Sequence, residues 1–179
     1  MGRMVALLRG INVGGRVLPM AQLRELLAEL GWQDARTYIQ SGNIVFSSTK
    51  RPDALEAELE RAIEKRFGMK VPVIVRTARQ WAAYPASNPF PDEARDLPKG
   101  LLLLVAKQPP AAGAEKALAA RATNGEKVGR AGDGLWIAFP EGIARSKLSP
   151  VLIDKLVESP GTSRNYRTVL KLKEMMEEE

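Results

Sequence analysis

The chain has 179 residues, 45% hydrophobic and 27% charged, the balance of a folded globular protein rather than a disordered or fibrous one. It contains no cysteine and no histidine, which excludes disulfides, thiolate zinc sites, cysteine nucleophiles, Ser-His-Asp triads and imidazole general bases. The formal net charge of +6 favours anionic partners over cationic ones.

In chain order, Met4 to Leu8 is a continuous apolar run that reads as a buried strand, and it leads into Gly10-Ile11-Asn12-Val13-Gly14-Gly15. Pro19 opens an amphipathic helix in which Leu23, Leu26, Leu27 and Leu30 share one face, and Gly31 closes it. Thr37 to Ile39 and Ile44 to Phe46 read as strands joined through Ser41-Gly42 as a tight hairpin. A second helix is predicted from Pro52 to Phe67, followed by a strand from Val71 to Val75. The order β-α-β-β-α-β is that of a ferredoxin-like split βαβ unit over residues 1–76.

Residues 77–99 hold a weak helix at Ala78 to Tyr84 and the prolines 85, 89, 91 and 98, and are expected to connect two halves. The second half, 100–179, restarts with a strand at Leu101 to Ala106 and a helix from about Ala111 to Ala122. A hairpin of Glu126 to Arg130 with Leu135 to Phe139 follows, then a helix from Ser149-Pro150 to about Glu158. Thr162 to Glu178 reads as helix where the repeat wants a last strand, and the two halves show no evident residue-level identity. The expected fold is therefore α+β, two ferredoxin-like halves with antiparallel sheets and a C-terminal helix.

Three stretches can carry chemistry. Gly10 to Arg16 follows a strand and precedes a helix, where backbone N–H groups commonly cradle phosphate; Arg9, Asn12, Gly14 and Gly15 are its candidate ligands. The spacing from Gly10 to Gly15 resembles a P-loop, but Arg16-Val17 stands where Lys and Ser or Thr are required. A tight connection with Asn12 in a turn conformation explains the same residues. Gln40, Ser41 and Asn43 bring two amides to the end of a hairpin, where they either bind a ligand edge or satisfy the turn itself. Thr162 or Ser163 would cap a helix carrying Arg164, Asn165, Arg167 and Lys171, with Arg164, Arg167 and Lys171 on one basic face. Asp92, Glu93 and Asp96 form an acidic cluster that solvated loop acids explain better than a metal, so no metal and no cofactor are expected.

Leu7-Leu8-Arg9-Gly10-Ile11-Asn12-Val13-Gly14-Gly15, Tyr38-Ile39-Gln40-Ser41-Gly42-Asn43, Asn88-Pro89-Phe90 and Thr162-Ser163-Arg164-Asn165-Tyr166-Arg167-Thr168 resemble, in order, the signature stretches of the bacterial family catalogued as domain of unknown function 1697. Ser163 and Tyr166 stand where that family's pattern has Thr and Trp. The resemblance implies the paired ferredoxin-like fold and supplies no activity.

The leading expectation is an anion- or phosphate-binding module whose ligand is nucleic acid or a nucleotide. The alternatives are an enzyme on a small phosphorylated or carboxylated substrate, with Arg9 and Arg164 as electrophiles and Lys147 or Tyr166 as proton carriers, and a protein-interaction module whose polar motifs form a structural network. No apolar run is long enough to span a bilayer and the N-terminus lacks a signal-peptide pattern, so a cytoplasmic protein without membrane partners is expected.

Overall fold

The computed structural model describes residues 1–178; Glu179, the last residue of the acidic tail, lies outside them. The chain forms two compact units. One comprises Met1–Trp81 together with the stretch from Leu172 onward, and the other is Ala82–Lys171.

In the first unit, β1 (Gly2–Leu8), α1 (Met20–Glu29), β2 (Gln33–Tyr38), β3 (Asn43–Ser48), α2 (Pro52–Phe67) and β4 (Val73–Thr77) follow one another. The sheet order is β2-β3-β1-β4 with every pair antiparallel. Strand alternation sends Ala6, Leu8, Phe46 and Val75 to one face, where they pack against Leu23 and Leu27 of α1 and Leu55, Leu59 and Ile63 of α2. Gly68 ends α2 in the left-handed conformation that glycine adopts freely.

The second unit repeats this plan with β5 (Leu101–Ala106), α5 (Ala114–Ala119), β6 (Lys127–Ala131), β7 (Gly134–Ala138), α6 (Pro150–Val157) and β8 (Gly161–Asn165), in sheet order β6-β7-β5-β8. Leu104, Ala106, Leu135 and Ile137 meet Ala114, Leu118, Ile153 and Val157 on its helical face. The helix α7 spans Tyr166–Glu177. Between the two sheets in sequence lie α3 (Ala78–Ala86) and α4 (Pro91–Asp96).

One sequence expectation is corrected here. The sixth element of the second half exists: Gly161–Asn165 is a strand paired antiparallel with β5 from Ala106↔Gly161 to Leu102↔Asn165, and the helix begins only at Tyr166. The run Gly-Thr-Ser-Arg-Asn lacks an apolar strand pattern, and it is the unpaired edge of β5 that draws it into the sheet, an override of local propensity by tertiary pairing. In the division into compact units the segment from Ala82 onward belongs to the second one. There Trp136 Nε1 donates to the Tyr84 carbonyl at 3.0 Å. A Cβ on Gly129 would sit 2.6 Å from Pro89 Cγ. Asn88 Oδ1 accepts from Phe90 N–H at 3.0 Å, a side-chain turn that sets Pro89 and Phe90 against β6. Asn88-Pro89-Phe90 is thus a packing motif over the sheet face opposite α5 and α6.

Both sheets protect one edge with carboxylates from the preceding helix. Glu60 and Glu56 of α2 accept from the Val73 and Val75 amides at 2.9 Å each, and Asp154 of α6 accepts from Gly161 N–H at 3.2 Å. These groups occupy donors that an unguarded edge would offer to another chain.

Candidate anion-binding site

Three loops meet at one end of the first sheet: residues 9–19, 39–42 and 68–72. Leu8 N–H donates to the Gly42 carbonyl at 2.8 Å and Arg9 N–H to the Pro72 carbonyl at 3.0 Å, which fixes the second and third loops on either side of the first. Asn12, with φ +55°, accepts at Oδ1 from Leu18 N–H (2.9 Å) and donates from Nδ2 to the carbonyls of Leu18 (3.2 Å) and Gln40 (2.7 Å). Its amide is consumed in closing the loop, since an Asn side chain has two N–H donors and one carbonyl.

Inside that closure, Gly14 and Gly15 have φ +57° and +82° and make a two-residue turn between Val13 and Arg16. Arg16 N–H donates to Val13 O at 3.2 Å and Asn12 N–H to Arg16 O at 2.6 Å, so residues 12–16 form a miniature β-hairpin. The helix α1 starts four residues beyond Arg16, so the glycines shape a hairpin tip and do not frame a helix N-terminus.

The 39–42 turn is equally constrained. Gly42 has φ +74°, and a Cβ there would lie 2.7 Å from Leu8 Cβ and 2.8 Å from Ile11 Cδ1. Asn43 is fully buried and donates from Nδ2 to Tyr38 O (3.1 Å) and Ser41 Oγ (2.9 Å), clasping the two ends of the turn. Ile39 is held at φ +50°, a region costly for a β-branched residue, and is nevertheless 53% exposed. Val13 and Val17 of the adjoining loop are 62% and 67% exposed, and Gln40 is exposed as well.

The three loops themselves carry charge of one sign only. None of the three loops contains an acid, whereas Arg9, Arg16 and Lys70 are all there, Arg9 half-buried and the other two exposed. Arg16 Nη2 donates to the Lys70 carbonyl at 2.7 Å, and among the described residues its guanidinium has no carboxylate partner. Glu64 comes to 3.8 Å from Lys70, but both are exposed and the pair is weak. Arg16 and Lys70 were not among the sequence candidates. The signal that would have found them is the lack of acids across three loops distant in sequence.

The second predicted cluster is not assembled as a basic helical face. Arg164 lies on β8 opposite Leu103 and is only 8% exposed; its Nη1 donates to Thr162 Oγ1 at 2.7 Å and to Ser163 O at 2.8 Å. Burial pushes its pKa down to about 10. Asn165, and not Thr162 or Ser163, caps α7, its Oδ1 accepting from Thr168 N–H at 3.0 Å. Only Arg167, exposed, and Lys171, half-buried, stand on the helix itself.

β4 matches β8 at two positions, a buried penultimate arginine and a last residue that caps the following helix, while the other residues of the two strands differ. Arg76, buried and opposite Val5, is the penultimate residue of β4 as Arg164 is of β8. Its Nη1 donates to Val75 O at 3.0 Å and lies 3.9 Å from Glu56. Thr77 then binds Gln80 N–H through Oγ1 at 3.2 Å, the counterpart of the Asn165 cap.

The acidic trio of α4 is engaged by cations: Asp92 and Asp96 pair with Arg95, and Glu93 pairs with Lys127. Among the described residues no group of acids is arranged to hold a metal ion, and no helix is long and apolar enough to cross a membrane.

No curated protein matches the chain. Among solved structures it is similar to the conserved bacterial protein SP0830 from Streptococcus pneumoniae, with 24% identity, 98% of each chain covered and a TM-score of 0.77, a likeness of fold. The model of a family described as a protein of unknown function matches residues 1–136, and the chain therefore belongs to that family, DUF1697.

Proposed function

We propose that this protein is a binding module for a phosphate-bearing ligand, nucleic acid or a nucleotide, and that the ligand is held at the three-loop end of the first sheet. One observation carries the reading: Arg9, Arg16 and Lys70 stand on loops that meet at one end of the sheet and hold no acid, around a glycine-turn hairpin. Arginine and lysine on fixed loops favour phosphate through charge and through N–H donors. Glycines at the tip let a ligand approach the backbone closely. We place the protein in the cytoplasm, where such ligands abound and where a chain without cysteine is at no disadvantage.

Thermal melts against nucleotides, oligonucleotides, sugar phosphates and sulfate test this. A ligand at about 100 times its Kd adds about 2.7 kcal/mol, or roughly 5 to 10 °C for a chain of this size. Arg16→Ala should abolish the shift while leaving the ligand-free melting temperature nearly unchanged, since its side chain makes a single exposed hydrogen bond. A flat panel for the unmodified protein sinks the reading.

A further inference from the structure

The same end of the sheet pairs its cations with exposed aliphatic side chains. Val13 and Val17 flank the hairpin turn, and Ile39 stands next to Gln40, whose carbonyl Asn12 holds. Six residues here have positive φ: Gly10, Asn12, Gly14, Gly15, Ile39 and Gly42. For five of them, glycine or asparagine meets the demand; Ile39 alone is a β-branched side chain in left-handed backbone, and it is left more than half exposed. The strain persists because the clasp from Asn43 to Tyr38 O and the immovable Gly42 over-determine the turn. The outcome is a solvent-facing sec-butyl wedge beside an exposed amide and a basic rim.

We infer that the ligand is duplex nucleic acid, with Ile39 inserted as a wedge at a base step in the minor groove, Gln40 against the base edges, and Arg9, Arg16 and Lys70 on the flanking phosphates. This rests on the phosphate-binding reading and narrows it. The charge complementarity is that of a polyanion lying along a row of loops. The apolar side chains exclude a free nucleotide or inorganic phosphate as the natural occupant, because neither offers a surface for three aliphatic groups at once. A stacking platform for single strands requires aromatic side chains, and residues 9–19, 39–42 and 68–72 contain none. Aliphatic wedges that unstack a base step, backed by Arg and Lys on the backbone, are a known solution for duplexes.

The test uses the full chain, a short duplex carrying 2-aminopurine, the matching single strand, inorganic phosphate, and vesicles of phosphatidylglycerol with phosphatidylcholine. Expected are tighter binding to the duplex than to the single strand, a rise in 2-aminopurine fluorescence on binding, and a log–log salt slope near −3, about 0.9 per phosphate neutralised. Ile39→Gly should weaken duplex binding roughly tenfold and abolish the fluorescence rise. It should also raise the melting temperature, because glycine relieves the left-handed backbone. Ile39→Ala, which keeps the backbone strain and shortens the wedge, should weaken binding with no gain in stability. If the duplex binds through Arg16 but Ile39→Gly changes neither affinity nor fluorescence, the wedge is wrong and the phosphate reading stands. Binding to the vesicles alone overturns the nucleic-acid assignment, and binding to nothing in the panel overturns both.

Discussion

Asn12 and Gln40 are 28 positions apart, and the 2.7 Å hydrogen bond from the Asn12 amide to the Gln40 carbonyl is what makes two loops into one surface. Asn12 also brackets Leu18 from both sides of its peptide and tolerates the φ of +55° that its place in the loop demands. Asn12→Ala should therefore lose three hydrogen bonds and the left-handed preference together, lowering stability by about 2 to 3 kcal/mol in chemical denaturation. Asn12→Asp keeps the acceptor for Leu18 N–H but sets a carboxylate against the Gln40 carbonyl, and should fall between the two.

Glycines of one motif carry different costs. Gly42→Ala meets both the left-handed backbone and two side chains within 2.8 Å, at Leu8 and Ile11. Gly14→Ala meets the backbone term only, with open space around its Cβ. The expected losses are about 1 kcal/mol for Gly14→Ala and about 3 kcal/mol or more for Gly42→Ala, read from denaturation midpoints. Equal losses would mean that the core beneath the turn gives way easily.

Much of this was legible in the sequence wherever an apolar period marked the element. Leu23, Leu26 and Leu27 announced α1, and Leu55, Leu59 and Ile63 announced α2, because the hydrophobic face that defines each helix is also what it buries. β8 was illegible because nothing in Gly161–Asn165 is apolar, and its place comes from the vacant edge of β5. The turn-forming role of Asn12, Gly14, Gly15 and Asn43 was readable from residue type. The convergence of Arg16 with Lys70 was not, since it depends on the α2-to-β4 loop returning beside the hairpin, a long-range event without a local signature.

Arg164 and Arg167 are three residues apart and should behave oppositely. Arg164→Ala removes a buried side chain and leaves Thr162 Oγ1 and the Ser163 carbonyl without their donor, which should lower stability by about 2 to 5 kcal/mol. Arg164→Met keeps the volume and should recover part of that loss. Arg167→Ala, on the exposed side of α7, should stay within about 0.5 kcal/mol. A small effect at Arg164 would mean that its guanidinium reaches water.

Glu126 contributes to the response of the second unit to acid. The Ser146 hydroxyl donates to its Oε1, and the Asn124 and Thr123 amides donate to its Oε2 at 2.8 and 3.1 Å. The Ser146 bond above all, with these amides, holds the carboxyl below its ordinary 4.5, against the opposing effect of burial. The folded protein thus binds a proton here less readily than the unfolded chain. The stability contributed is complete above about pH 4.5 and is lost as pH falls through the lowered folded value. Glu126→Gln removes the titrating group. The variant should be less stable than the parent at neutral pH, because an amide is a weaker acceptor for two N–H groups and a hydroxyl. Its denaturation midpoint should then fall less steeply than the parent's on going from neutral pH to about pH 3, so that the two curves converge in acid. Parallel curves would assign the acid sensitivity of this unit to other carboxylates.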